Sequence, residues 1–209
     1  MKLKKLLEEI KPPKGKGIII FDIDDTLVKG AGVQIYKRKA GEKEKALTPE
    51  QFAKEDVKKE RANGVIYDYR DFDNPKKMYN SIIKGIPFIK NLKMLDSYMR
   101  ANWDIGFLTA RGAETANKQA IKEWLKYRNK NGDLVPIPEE RIKYFIALSD
   151  KKRIKELKNR VKASGDFDAK GIYLSDIQKK YDIVKFVDDD MKNILSARKV
   201  LPKKNVIKV

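Results

Sequence analysis

The chain contains neither cysteine nor histidine. That excludes disulfides, the usual Cys/His zinc sites, cysteine and histidine nucleophiles, Ser-His-Asp triads and any histidine general base. Acid-base and metal chemistry is left to Asp, Glu, Lys, Tyr and water. No apolar run approaches the roughly 18 residues of a membrane span. Residues 1–10 are charged throughout and lack the apolar segment of a secretory signal. A cytoplasmic protein without a membrane partner is therefore expected. Internal repeats, low-complexity tracts and a phosphate-binding P-loop are missing too.

Charge is what the chain has in abundance. Of its 209 residues, 37% are charged and 41% hydrophobic. This is the composition of a globular protein able to bury a sizeable core, as one domain or one domain with an inserted lobe. The net charge of +18 attracts polyanions, nucleic acid foremost. Yet Lys outnumbers Arg 38 to 10 and is spread along nearly the whole chain, which reads equally well as compositional bias, because readers of phosphates and bases favour Arg.

Leu3, Leu6, Leu7 and Ile10 follow the i, i+3, i+4, i+7 spacing of a short amphipathic helix, ended by Lys11-Pro12-Pro13-Lys14-Gly15. Residues 17–23 form a first apolar strand. Residues 29–75 are highly charged. Within them Val33–Tyr36 and Val65–Tyr69 alternate like strands, Gly41–Lys45 reads as a turn, and Thr48-Pro49-Glu50-Gln51 is a helix start with a capping box. A structureless stretch of that length is unusual, so an inserted small lobe is expected. Strand and helix patterns then alternate: a helix over 87–99, a strand at 105–108, and a helix over 113–128 with Ala116, Ala120, Trp124 and Tyr127 on one face. A strand at 142–148, helices over 149–163 and 170–180, a strand at 183–187, a helix over 191–200 and a terminal strand at 206–209 follow. Breaks are expected at Asn131-Gly132-Asp133 and Gly165–Asp168. This alternation predicts an α/β fold with a parallel, Rossmann-like sheet, its core formed by 1–28 and 76–209 and its insertion by 29–75.

Ligands of such sheets bind beyond the carboxyl ends of the strands. Three of those ends carry polar groups: Asp22 and Asp24, then Thr109 and Arg111, then Asp188 and Asp189. Alone, Asp22-Ile23-Asp24 is equally an acidic turn. Four converging carboxylates would repel one another unless a dication joined them, and oxygen-only ligation suits Mg²⁺. A carboxylate beside such an ion can attack phosphorus. A second carboxylate can protonate the leaving oxygen, while a hydroxyl such as Thr109 and a cation such as Lys170 hold the phosphoryl oxygens.

Three of these segments resemble motifs of the haloacid dehalogenase superfamily: Phe21-Asp22-Ile23-Asp24-Asp25-Thr26-Leu27 its first, Phe107-Leu108-Thr109-Ala110-Arg111 its second, and Phe186-Val187-Asp188-Asp189-Asp190 its fourth. The resemblance covers about 17–28 and 86–209. It implies Asp22 as nucleophile and metal ligand, and Asp24 as general acid/base with its backbone carbonyl on the metal. It implies Thr109 as a phosphoryl contact, with Arg111 and Thr26 as substrate contacts, and Asp188 and Asp189 on the Mg²⁺. For the third motif, a lysine, Lys170 is favoured, with Lys152, Lys155 and Lys180 as rivals. Asp25 stands where many members have Gly. Segment 29–75 falls where the family places a small cap.

The expected activity is a Mg²⁺-dependent phosphatase working through an aspartyl-phosphate. Charge and motif also resemble phage-type members of the superfamily and the phosphatase half of polynucleotide kinase/phosphatase. That implies a nucleotide or nucleic-acid 3′-phosphate as substrate, host cytoplasm or virion as location, and Lys37, Arg38, Lys39, Arg61 and Arg70 as contacts to the polyanion. The competing readings are a non-catalytic member of the same fold that binds nucleic acid or a phage partner, and a phosphotransferase or phosphomutase.

Overall fold

The computed structural model describes residues 17–132, 136–164 and 169–209. Strand β1 (Gly17–Phe21) is followed by β2 (Val28–Lys29), β3 (Ile35–Arg38) and β4 (Lys45–Leu47). Two short helices, α1 (Pro49–Ala53) and α2 (Val57–Ala62), precede β5 (Ile66–Asp68). Helix α3 (Pro75–Ile83) leads into β6 (Ile86–Pro87) and α4 (Ile89–Arg100). Then come β7 (Asp104–Thr109), α5 (Glu114–Lys130), β8 (Ile142–Ala147), α6 (Lys151–Ser164), α7 (Ala169–Gln178), β9 (Ile183–Asp188), α8 (Met191–Val200) and β10 (Val206–Lys208).

The main sheet is five-stranded and parallel throughout, in the order β10-β9-β1-β7-β8. Side chains alternate across a strand. Ile19 and Phe21 therefore enter one apolar layer with Leu92, Leu95 and Trp124 of α4 and α5. Ile18 and Ile20 enter the other, with Leu157, Leu174 and Ile194 of α6, α7 and α8. Both faces of β1 are covered, so it reads as an unbroken apolar run. Trp124 is buried as expected, but the inward face of α5 is Asn117, Ala120, Ile121, Trp124 and Leu125, and Tyr127 points outward. Tyr127 lies close to the Trp124 stripe on a helical wheel, and one step of rotation takes it off the sheet.

The chain builds away from β1 through β7 to β8, then crosses back to β9 and β10 on the other side. The strand order thus reverses around β1, where open α/β sheets bind ligands. Register pairs Phe21 with Phe107 on one flank and with Val187 on the other. The polar residues that follow on all three strands emerge along one edge.

Between β2 and β6, which pair as a two-stranded antiparallel sheet, the chain forms a separate three-stranded sheet in the order β4-β3-β5. It has its own apolar cluster of Ile35, Val65 and Tyr67 with Phe52, Tyr69 and Phe72. Helix α1 starts at the expected capping box: Thr48 accepts from the Gln51 N–H, and Gln51 accepts from the Thr48 N–H. Strand β3 begins two residues later than the alternation at 33–36 implies, because the Gln34 N–H donates to Asp71 Oδ2 at 3.0 Å instead of joining the ladder. The expected N-terminal helix, its Pro-Gly stop and the 165–168 break lie outside the described residues. Among the described residues no helix is long and apolar enough to cross a membrane.

Candidate active site

Asp22 directly follows β1, and its N–H donates to the Val187 carbonyl at 2.9 Å, continuing the pairing with β9. Its carboxylate is buried. So is Asp188, the last residue of β9. Between them stands Lys170, near the start of α7, with Nζ 2.8 Å from Asp22 Oδ1 and 2.7 Å from Asp188 Oδ2. Lys152, Lys155 and Lys180 are exposed; Lys180 lies over the Tyr144 ring. Of the four lysines, Lys170 is the one brought to the carboxylates.

Asp188 is fixed further by the Asp190 N–H at 2.8 Å and by Asn193 Nδ2 at 3.0 and 3.1 Å. The Thr26 hydroxyl accepts from the Asp189 N–H and donates to Asp189 Oδ1, each at 3.1 Å. Asn91 Nδ2 in turn donates to the Thr26 carbonyl at 2.6 Å. Thr26 is therefore joined to Asp189 in this structure. Thr109 is fully buried at the end of β7, and its hydroxyl accepts from the Arg111 N–H at 3.3 Å.

Asp24 is the more open carboxylate, its side chain 44% exposed. Arg111 holds it with Nε at 2.7 Å and Nη2 at 2.5 Å. The remaining nitrogen, Nη1, donates to Ser81 Oγ at 2.7 Å, to Asn117 Oδ1 at 3.1 Å and to the Met78 carbonyl at 3.2 Å. All three nitrogens of this buried guanidinium are thus engaged within the protein, so its direct partner is Asp24. Asp25 between these groups is left-handed, φ 52°, a conformation open to Gly and, among side-chain residues, best tolerated by Asn and Asp.

The electrostatics follow from two buried carboxylates sharing one ammonium. Burial pushes Asp22 up to about 7; Lys170 opposes this, while Asp188 and Asp24 add to it. Burial works against the charge on Lys170, but Asp22 and Asp188 overcome it and hold the ammonium above the ordinary lysine value. Burial raises Asp189 as well, against its hydrogen bond from Thr26.

Among the described residues no three acidic groups already converge as a ready ligand set. The donor chemistry nevertheless fits a hard dication. The strand ends offer only oxygen: the carboxylates of Asp22, Asp188 and Asp189, with the Asp24 backbone carbonyl in the same turn. Burial, more than its acidic neighbours, is what raises Asp22, and a dication beside it would favour its charged form.

The cations of segment 29–75 divide. Lys37 pairs with Glu55 and Glu60, and Arg70 pairs with Glu44 and Asp68 while stacking over Tyr36. Arg38, Lys39 and Arg61 are exposed. Asn117, Ser81, Asn91 and Asn193 complete the site without having been singled out in the sequence. The signal for Asn117 was its place in the apolar stripe with Ala120, Ile121 and Trp124. No protein-family model matches the chain, nor does any curated protein.

Proposed function

We propose that the chain is a Mg²⁺-dependent phosphomonoesterase of the haloacid dehalogenase type, with the lobe between β2 and β6 as its cap. The observation that carries this reading is Lys170 bridging Asp22 and Asp188 at the edge where Asp24 and Thr109 also emerge. Asp22 attacks the phosphorus and the ester P–O bond breaks. The leaving oxygen takes a proton from Asp24. Water then attacks the aspartyl-phosphate, giving its proton to Asp24, and phosphate leaves with Asp22 restored. In the fork with Arg111 each Asp24 oxygen keeps a lone pair for that proton. Lys170 and the Thr109 hydroxyl hold the phosphoryl oxygens. Asp22, Asp188, Asp189 and the Asp24 carbonyl would hold Mg²⁺, which supplies charge neutralisation at the phosphoryl group.

A panel of phosphomonoesters, including nucleotides and 3′- and 5′-phosphorylated oligonucleotides, assayed with Mg²⁺ and with EDTA, tests this. Phosphate release that requires Mg²⁺ is expected. Absence of release from every ester in Mg²⁺ would overturn the proposal and favour a binding protein of the same fold.

A further inference from the structure

A cleft of ≈ 340 Å³ opens beside Asp24, between the small lobe and the edge of the main sheet. Its base is the Asp24–Arg111 pair. Gly30 lies so close that a Cβ there would sit 3.0 Å from Arg111 Nη2 and 3.3 Å from Asp24 Oδ1. Val33, Pro49 and Phe72 line it with apolar surface, and the buried Met78 lies behind them.

Its charges nearly cancel, with a slight acidic excess that does not suit a polyanion. Of the 48 Lys and Arg residues in the chain, only Lys29 and Arg111 line the cleft among the described residues. Each already has an acid: Lys29 pairs with Glu50 across the mouth, and Arg111 with Asp24. Asp25 is a third lining carboxylate, giving three acids against two cations. The +18 of the chain is therefore not focused here.

We infer that this cleft is the leaving-group pocket and takes the small, uncharged alcohol part of a phosphomonoester, one that presents an apolar ring face. The inference rests on the proposed role of Asp24. The acid that protonates the leaving oxygen must stand beside the leaving group, and the cleft begins at Asp24 rather than at the Asp22–Lys170 pair. An uncharged ring buries its face on Val33, Pro49 and Phe72. A leaving group carrying a further phosphate meets an excess of carboxylates, with both cations engaged.

The test compares a nucleoside 3′-monophosphate with the 3′-phosphorylated dinucleotide ending in the same nucleoside, in Mg²⁺ at fixed ionic strength. The first leaves an uncharged nucleoside; the second leaves a phosphodiester. The expected result is a kcat/KM about tenfold or more in favour of the monophosphate. Glu50→Gln should narrow that ratio several-fold, because it removes one negative charge and releases Lys29. The Glu50 side chain is 60% exposed, so the change leaves the core intact. Equal efficiency, preference for the dinucleotide, or a ratio unmoved by Glu50→Gln would overturn the inference while the phosphatase reading stands. No turnover of either substrate or of any other phosphomonoester in Mg²⁺ would overturn both.

Discussion

Arg111 grips Asp24 through two N–H donors, although the residues lie 87 positions apart and only Asp24 reaches solvent. The arginine is seated by Ser81, Asn117 and the Met78 carbonyl, so the angle at which Asp24 is presented depends on α3 and α5. Lysine carries the charge but cannot reproduce the planar fork. Arg111→Lys should therefore lower kcat roughly 10- to 100-fold with a smaller change in KM, since orientation and not binding is lost. Steady-state kinetics on the best ester of the panel, with circular dichroism to confirm folding, would check it; unchanged kcat would remove the positioning role.

Lys170 neutralises two buried carboxylates. Lys170→Met should destabilise the metal-free protein by about 3–5 kcal/mol, because Asp22 and Asp188 are left without their cation. Added Mg²⁺ should recover part of the loss. Urea unfolding with EDTA and with Mg²⁺ measures both; a variant as stable as wild type in EDTA would contradict the bridging geometry.

The main sheet was legible in the sequence for a physical reason. β1, β7 and β9 are the inner strands, covered on both faces, and read as largely apolar runs, and Asp22, Thr109 and Asp188 mark where each run stops. Helix α1 was legible through its capping box. Strand β4 and helix α2 were not. Lys45–Leu47 is a strand because it pairs with β3, a long-range contact its three residues do not encode. Helix α2 has no buried residue to give it a periodic stripe. The residues that seat the catalytic candidates, Ser81, Asn117 and Asn193, are polar groups on helices and look like surface until the fold turns them inward.

Folding raises Asp22 from the ordinary carboxylate range to about 7, so between these values the folded state binds the extra proton. Stability from this group is full below the unfolded pKa and is lost as pH rises through 7. Asparagine at this position does not titrate. In EDTA, the stability of Asp22→Asn relative to wild type should therefore increase from pH 5 to pH 8. Denaturant unfolding at the two pH values decides; a difference independent of pH would contradict the raised Asp22.

Asp25 is held at φ 52° in the turn that follows the two site carboxylates. Asp25→Gly should be tolerated, whereas Asp25→Ala should cost about 1 kcal/mol, because a Cβ without a polar group gains nothing in the left-handed region. Thermal unfolding of the two variants ranks them; Ala as stable as Gly would show that the turn relaxes.

The central claim is that Asp22 is the nucleophile. It is tested most directly by phosphate release from the best ester of the panel in Mg²⁺, with wild type and Asp22→Asn side by side. Turnover by wild type and a loss of about 10³-fold or more in Asp22→Asn is the predicted result. An Asp22→Asn protein that still turns over at a comparable rate would contradict it.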